Sequence, residues 1–338
     1  MVNAEPTVAD IGEFGLIARL RQRFRGVGSG VVRGIGDDTA ALHVTPGHLL
    51  LATTDAALEG THFLRATISP DALGRRVLAV NLSDIAAMAG TPRWALVSLG
   101  LPATTPISFV EALADGLAEE ARLYDTEIVG GNIARSIDRL NVDITVLGEV
   151  RPDQVLYRTG ARPGDRLLVT GQLGDSSAGL AVLSGRVPRN VPGEDYLVSR
   201  HRLPTPRVSV GRAVGQSGWA TAMIDLSDGL AGDVTHLAEE SRVGAVVYAD
   251  RLPLSLPLRS LADAAGVDPL EWALRGGEDY ELLLSAPAEN VSALAALVNQ
   301  RGVALTDVGQ LTAGPELWVE LSNGRREPLG TVSWQHFS

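Results

Sequence analysis

Apolar residues recur along this chain at two different periods, and the switch between them lays out the elements. Over residues 11–24, IGEFGLIARLRQRF, they return every three to four positions and the segment ends in arginines, as a helix C-terminus prefers. A glycine-punctuated loop is expected over 26–36, and HLLLATTDAAL (48–58) is a buried strand running into an acidic turn. Ser69 as N-cap, Pro70 at the first helical position and Gly90 past the end bracket a helix. WALVSLGLP (94–102) is a strand, ISFVEALADGLAEEARLY (107–124) an amphipathic helix, and TEIVGGN and LNVDITVLGEV are two further strands.

Across RPDQVLYRTGARPGD (151–165) the periodicity lapses and Pro and Gly accumulate, which predicts a domain boundary, with one domain over 1–150 and another over 151–338. At 338 residues the chain is long enough for two domains, each with its own core. Beyond the boundary DRLLVTG is a strand, GDSSAGLAVLSG a short helix and TPRVSVGRAV the start of another, while ATAMIDLSDGLAGDVTHLAEES passes from strand through an acidic turn into a helix. GAVVYAD, GGEDYELLLSA and VALTDVGQL are later strands, NVSALAALVNQRG (290–302) is a helix, and the run LPLSLPL (252–258) is expected to be a packed connector. Both halves mix strands and helices, so the fold class is α+β, or mixed α/β.

Composition narrows the chemistry. Every one of the 29 basic residues is arginine, and cysteine is absent too. Lysine-dependent phosphate loops, the protein-kinase scaffold and Schiff-base catalysis are excluded, as are thiol nucleophiles, thiolate zinc sites and disulfides. A net charge of −11 argues against nonspecific nucleic-acid or anionic-membrane binding. No run of about 18 apolar residues appears and the start, MVNAEPTVADIGEF, does not resemble a signal, so a cytoplasmic protein is expected.

Six places set acids or amides in otherwise small, apolar surroundings: Asp37-Asp38, Asp55 with Glu59, Asn81 to Asp84, Gly131-Asn132, Asp225 to Asp228, and Glu278-Asp279. Taken singly, such residues are ordinary local hydrogen-bonding devices in turns. Asp84 is the exception, because a helix carrying Leu78, Val80, Ile85 and Met88 needs a reason to hold Asn81, Ser83 and Asp84. Hard oxygen donors without sulfur point to magnesium rather than zinc.

GIGDDTAAL, TTDAALEGTHF, AVNLSDIAAMAGTPRWALVSLGLP, VGGN, YRTGARPGD, TGQLGDSSAGL, AMIDLSDGLAGDV and GGEDYEL occur in the order of the thiamine-monophosphate kinase family, which the chain resembles from Gly12 to the closing WQHF. That family shares a superfamily with aminoimidazole ribonucleotide synthetase, selenophosphate synthetase and a hydrogenase-maturation protein. The resemblance implies ATP as co-substrate, thiamine monophosphate as acceptor, several Mg²⁺ ions and a homodimer. It implies an aminoimidazole ribonucleotide synthetase-like fold whose N-terminal sheet pairs across the dimer, with the site between that domain and a C-terminal α/β domain.

Carried over residue by residue, the family's metal ligands fall on Asp37, Thr54, Asp55, Asp84, Asn132, Asp225 and Asp228. Nucleotide contacts fall on Gly131, Asn132, Arg158 and Ser227, and contacts to the thiamine substrate on His62, Glu278 and Trp334. No residue is expected to act as a covalent or acid–base catalyst. One departure stands out: Gly131-Asn132 replaces the family's usual Gly-Gly-Asp ending and removes a negative charge. The competing readings are another ATP-dependent enzyme of the superfamily, or a nonenzymatic protein that binds nucleotide or thiamine phosphate.

Overall fold

In the computed structural model residues 5–24 and 30–330 are described, and contacts divide the chain into two units. One is Met1–Ile85 with Thr91–Pro152, the other Ala86–Gly90 with Asp153–Ser338. Among the described residues no helix is long and apolar enough to cross a membrane.

The first unit opens with α1 (Val8–Arg23), which begins ahead of the apolar repeat because Thr7 donates through both its N–H and its hydroxyl to the Asp10 carboxylate at 2.7 Å. β1 (Val31–Arg33) pairs with β2 (Ala41–Leu42), so the stretch expected as a loop over 26–36 is partly strand, and its residues 26–29 lie outside the described residues. Then come β3 (Leu49–Leu58), α2 (Pro70–Ala87), β4 (Thr91–Leu101), α3 (Ile107–Leu123), β5 (Glu127–Arg135) and β6 (Asn141–Val150).

The four long strands form one sheet in the order β3-β6-β4-β5, in which only β4 and β5 run parallel, joined by the α3 crossover. Period-2 alternation is clean on β6: Val142, Ile144 and Val146 are fully buried while Asp143 and Thr145 are half-buried. The buried face is the one α2 covers, since Ile85 reaches the position of a Cβ on Gly148. α2 and α3 touch through facing glycines. A Cβ on Gly74 would stand 2.1 Å from the Leu113 carbonyl, and one on Gly116 would stand 1.9 Å from that of Asp71.

The second unit contains β7 (Arg166–Thr170), α4 (Asp175–Leu183), α5 (Glu194–Arg202), α6 (Val208–Ser217), β8 (Ala222–Asp225), α7 (Leu230–Ser241) and β9 (Gly244–Tyr248). It continues through α8 (Leu256–Ala265), α9 (Pro269–Arg275), β10 (Leu282–Ala286), α10 (Val291–Asn299), β11 (Leu305–Thr312), β12 (Leu317–Glu320) and β13 (Arg326–Pro328). Its seven strands lie in the order β13-β12-β9-β11-β7-β10-β8, antiparallel except β12 beside β9. Leu167, Val169, Ile224, Leu230, Val234, Val247, Leu283 and Leu311 meet in one buried cluster, each larger side chain contributing about 1.5–3 kcal/mol by its removal from water.

Three expectations need correction here, the first being HLLLATTDAAL: β3 is an edge strand that runs on through Asp55 to Leu58 with only Leu51 buried, not a buried strand ending in an acidic turn. The LPLSLPL run is not a plain connector: α8 begins at Leu256, because Ser255 caps it by accepting the Leu258 N–H at 3.1 Å, and Pro257 sits in the first turn, where no N–H is needed. GGEDYELLLSA is a strand only from Leu282, and residues 276–281 are an irregular segment. Mixed α and β structure in both units agrees with the sequence pattern.

Candidate active site

The described candidate residues fall in both units. In the first, β3 carries Thr54 and Asp55, α2 carries Asp84, and β5 carries Gly131 and Asn132. Strand register aligns Asp55, Ile144, Val97 and Gly131 in one row across the sheet and Ala56, Asp143, Ser98 and Asn132 in the next. Opposed residues share a face and successive ones alternate, so Asp55 and Thr53 face α2 while Thr54 and Asn132 face the other way. Thr53 donates its hydroxyl proton to Asp84 Oδ2 at 2.5 Å, which is the compensation that an aspartate inside this helix requires. Asn81 donates to the Val77 carbonyl at 3.0 Å, and its buried Oδ1 has no hydrogen-bond partner among the described residues.

Gly131 lies so close to β4 that a Cβ would stand 1.9 Å from the Val97 carbonyl; only glycine fits there. Thr54 donates to the Ile144 carbonyl at 3.1 Å. Asp37 is exposed, with Arg33 Nε at 3.0 Å on one oxygen and the Asp38 N–H at 3.1 Å on the other. In the turn after β3, His62 Nδ1 accepts the Leu58 N–H at 3.0 Å, so the neutral ring carries its proton on Nε2. Glu59, set beside Asp55 by the sequence, is instead a structural acid that accepts from Arg65 at 2.6 Å and from the Leu140 N–H at 2.9 Å.

In the second unit the candidates lie around the end of β8. Asp225 closes that strand and Ser227 and Asp228 follow in the turn to α7. The Met223 N–H bonds the Tyr157 carbonyl and the Ser241 hydroxyl bonds the Arg158 carbonyl, both at 2.9 Å, which pins the segment carrying Arg158 to this unit. Glu278 N–H donates to the Ser227 carbonyl at 2.8 Å, bringing Glu278 against the same turn. Its Oε2 lies 3.5 Å from His201 Nδ1.

Asp233, one turn into α7, is 1 % exposed and accepts the Asp228 N–H at 3.2 Å. Burial pushes its carboxyl well above the usual range, Asp225 and Asp228 push it further, and the Asp228 N–H and Arg158 pull the other way. Carboxylates that repel in this way form an all-oxygen set suited to a hard cation. Among the described residues no three acids or histidines converge into a ready-made metal cage.

Residues 36–150 match the family described as AIR synthase related protein, N-terminal domain, and residues 162–322 match its C-terminal domain. A thiamine-monophosphate kinase of Escherichia coli strain K12 is 39% identical over 331 residues, covering 97% of this chain and 98% of that one. The chain belongs to the thiamine-monophosphate kinase family. Its counterpart from Aquifex aeolicus strain VF5 is 37% identical over 329 residues, covering 97% and 99%. A solved structure of AaThiL complexed with AMPPCP and TMP superposes with a TM-score of 0.77 at 36% identity, covering 97% of this chain and 98% of that one.

In this member of the thiamine-monophosphate kinase family the motif GGEDYEL does more than present Glu278. Asp279 is buried and accepts the Gly174 N–H at 2.7 Å and the Ser176 N–H at 3.3 Å. Burial pushes its carboxyl up to about 8 against the pull of those two donors, with Asp175 and Glu281 raising it further. The Gly174 and Ser176 amides at the start of α4 are therefore occupied by the protein's own carboxyl group. Glu281, fully buried, accepts from Thr170 at 2.7 Å, from Arg200 at 3.0 Å and from both ends of the Arg207 guanidinium.

Asp233 and Glu281 were not picked out by the sequence, and Asp279 stood out only as one of the six acidic places, without a role of its own. The signal available was the one that exposed Asp84, an acid inside an apolar helix, repeated in LAGDVTHLA. Trp334 lies outside the described residues.

Proposed function

We propose that this chain transfers the γ-phosphoryl group of ATP to thiamine monophosphate, giving thiamine diphosphate and ADP, as a cytoplasmic homodimer. The observation that carries the reading is the turn after β8. In a member of this family, the Glu278 N–H donates to the Ser227 carbonyl, and the Ser241 hydroxyl holds the Arg158 carbonyl in the same unit.

The acceptor is a phosphate monoester whose second pKa is about 6, so at neutral pH it is mostly a dianion and no general base is needed to make it nucleophilic. The barrier is electrostatic: two polyanions must approach in line while charge spreads over the transferred group. Arg158 brings a permanent cation to the nucleotide phosphates and Ser227 a hydroxyl donor. His62, its ring oriented through Nδ1, presents Nε2–H to the acceptor phosphate. Glu278 offers a half-buried carboxylate to the positively charged thiamine ring system, and Trp334 is assigned to the same substrate.

Asp55 and Asp84 on one face of the first unit's sheet, Thr54 and Asn132 on the other, Asp37 in its turn, and Asp225 and Asp228 in the second unit are the residues that would hold magnesium, which would supply positive charge to offset that of the phosphates. Transfer is direct, without a phosphoenzyme, because the candidate residues include no nucleophile paired with an activating base. Support for the dimer comes from β3, an edge strand that leaves Leu50 49 %, Leu49 38 % and Leu58 37 % exposed. A second copy of the chain covers it in this reading, and a monomeric mass in solution would remove that part.

The test is direct. Purified protein with ATP, Mg²⁺ and thiamine monophosphate should form ADP and thiamine diphosphate in equal amounts. Asn132 favours the alternative of a protein that binds without turnover, and binding of both ligands with neither product formed would establish that alternative instead.

A further inference from the structure

The irregular segment 276–281 contacts the DLSDG turn along its whole length. A Cβ on Gly277 would stand 2.3 Å from the Ser227 carbonyl. Beyond it the Glu278 N–H donates to Ser227 O at 2.8 Å, the Tyr280 N–H to Leu226 O at 2.9 Å, and the Glu281 carbonyl accepts the Leu226 N–H at 2.8 Å. Glu278 and Tyr280 both stand in the left-handed region, at φ +67 and +51. Residues with side chains hold that conformation, at a cost of about 1–3 kcal/mol each, only when the surroundings fix it. Asp279 lies between them, and its two oxygens receive the Gly174 and Ser176 N–H groups from the start of α4.

We infer that Asp279 is a positioning residue that anchors this segment to α4, so that the acceptor contact Glu278 and the nucleotide turn Asp225–Asp228 form one rigid bracket. The inference rests on Glu278 and Ser227 being contacts to acceptor and nucleotide. Without the anchor the two left-handed residues relax, the bonds to Leu226 and Ser227 loosen, and both substrates lose the shared register. A residue that served folding alone would change the melting temperature or the yield of active protein and leave both KM values where they are.

Asp279→Ala leaves two buried N–H groups without acceptors and should raise KM for ATP and for thiamine monophosphate about tenfold each. Asp279→Asn keeps one acceptor oxygen and should fall between the two. Gly277→Ala pushes on the Ser227 carbonyl without touching a carboxylate and should reproduce the joint rise. Glu278→Gln should raise the acceptor KM alone. An unchanged acceptor KM in that variant sinks the assignment of Glu278, whatever Asp279 does. If Glu278→Gln behaves as expected while Asp279→Ala and Gly277→Ala keep both KM values, the bracket is refuted.

Should those variants not fold, amide exchange on the natural chain decides. AMPPCP with Mg²⁺, and no acceptor, should slow exchange at Glu278 and Tyr280 several-fold together with residues 226–229. Slowing at 226–229 alone overturns the bracket, and no slowing at 226–229 overturns the nucleotide assignment.

Discussion

Glu281→Gln tests how much of the second unit's stability is held in one buried ion cluster. The side chain of Glu281 is completely inaccessible, while its partners Arg200 and Arg207 keep 16% and 15% of their side-chain surface. Glutamine preserves the shape but turns one acceptor oxygen into a donor facing guanidinium N–H groups, and it removes the negative charge between two cations. Breaking a buried pair by neutralising one partner costs about 3–5 kcal/mol; because both arginines reach solvent at their margins, the lower end, about 3 kcal/mol, applies. For a folding unit of roughly 150–250 residues, a loss of about 3 kcal/mol lowers the melting temperature by about 6–12 °C. Calorimetry on the full chain measures it, and a shift below about 2 °C would refute the account of Glu281 as a structural charge. The double variant with Arg207→Met removes the surplus cation and should be less destabilised than the two single changes summed.

Asn132→Asp should lower the Mg²⁺ concentration needed for half-maximal activity by roughly thirtyfold, since one added unit charge about 4 Å from a divalent ion is worth about 2 kcal/mol even in water; a magnesium titration reads it, and an unchanged midpoint removes Asn132 from the ligand set. Gly116→Ala should cost about 3 kcal/mol, visible as a lower urea midpoint at constant slope, because its Cβ would sit 1.9 Å from the Asp71 carbonyl and α2 and α3 would have to separate. The Asp279 carboxyl is raised to about 8 in the folded chain from 3.8, so the folded state binds the extra proton across that window and stability falls as pH rises through it, by up to ~1.4 kcal/mol per unit. Melting curves of Asp279→Asn should therefore lose less stability between pH 4 and 8 than the natural chain, and parallel pH curves would contradict the burial argument.

β4, β6 and α3 of the first unit were readable because one side of each is buried: β4 and β6 alternate along the strand and α3 repeats its apolar positions at helical spacing. α8 was hidden because Pro253 and Pro257 look like breakers until Ser255 is seen capping the helix between them. α5, the polar EDYLVSRHR, buries only Leu197 and His201, too few positions to make a period. At the site, Asp225, Ser227 and Asp228 stand out in the sequence because they are neighbours in the chain. The roles of Asp279 and Glu281 were hidden, because their partners Gly174 and Thr170 lie 105 and 111 residues away and offer backbone amides and a hydroxyl rather than recognisable chemistry. Asp37 shows the opposite limit. Its motif marks it as a ligand, whereas its geometry is that of a turn closed by Arg33 and Asp38.

β8 is the last strand of its sheet, and a bare strand edge is an invitation for another chain to pair with it. Here the Met223 N–H on that edge is already taken by Tyr157, the residue before Arg158. The segment carrying Arg158 thus also shields the rim from self-association. Its loss would show first as protein that precipitates on concentration, before any kinetic constant could be measured.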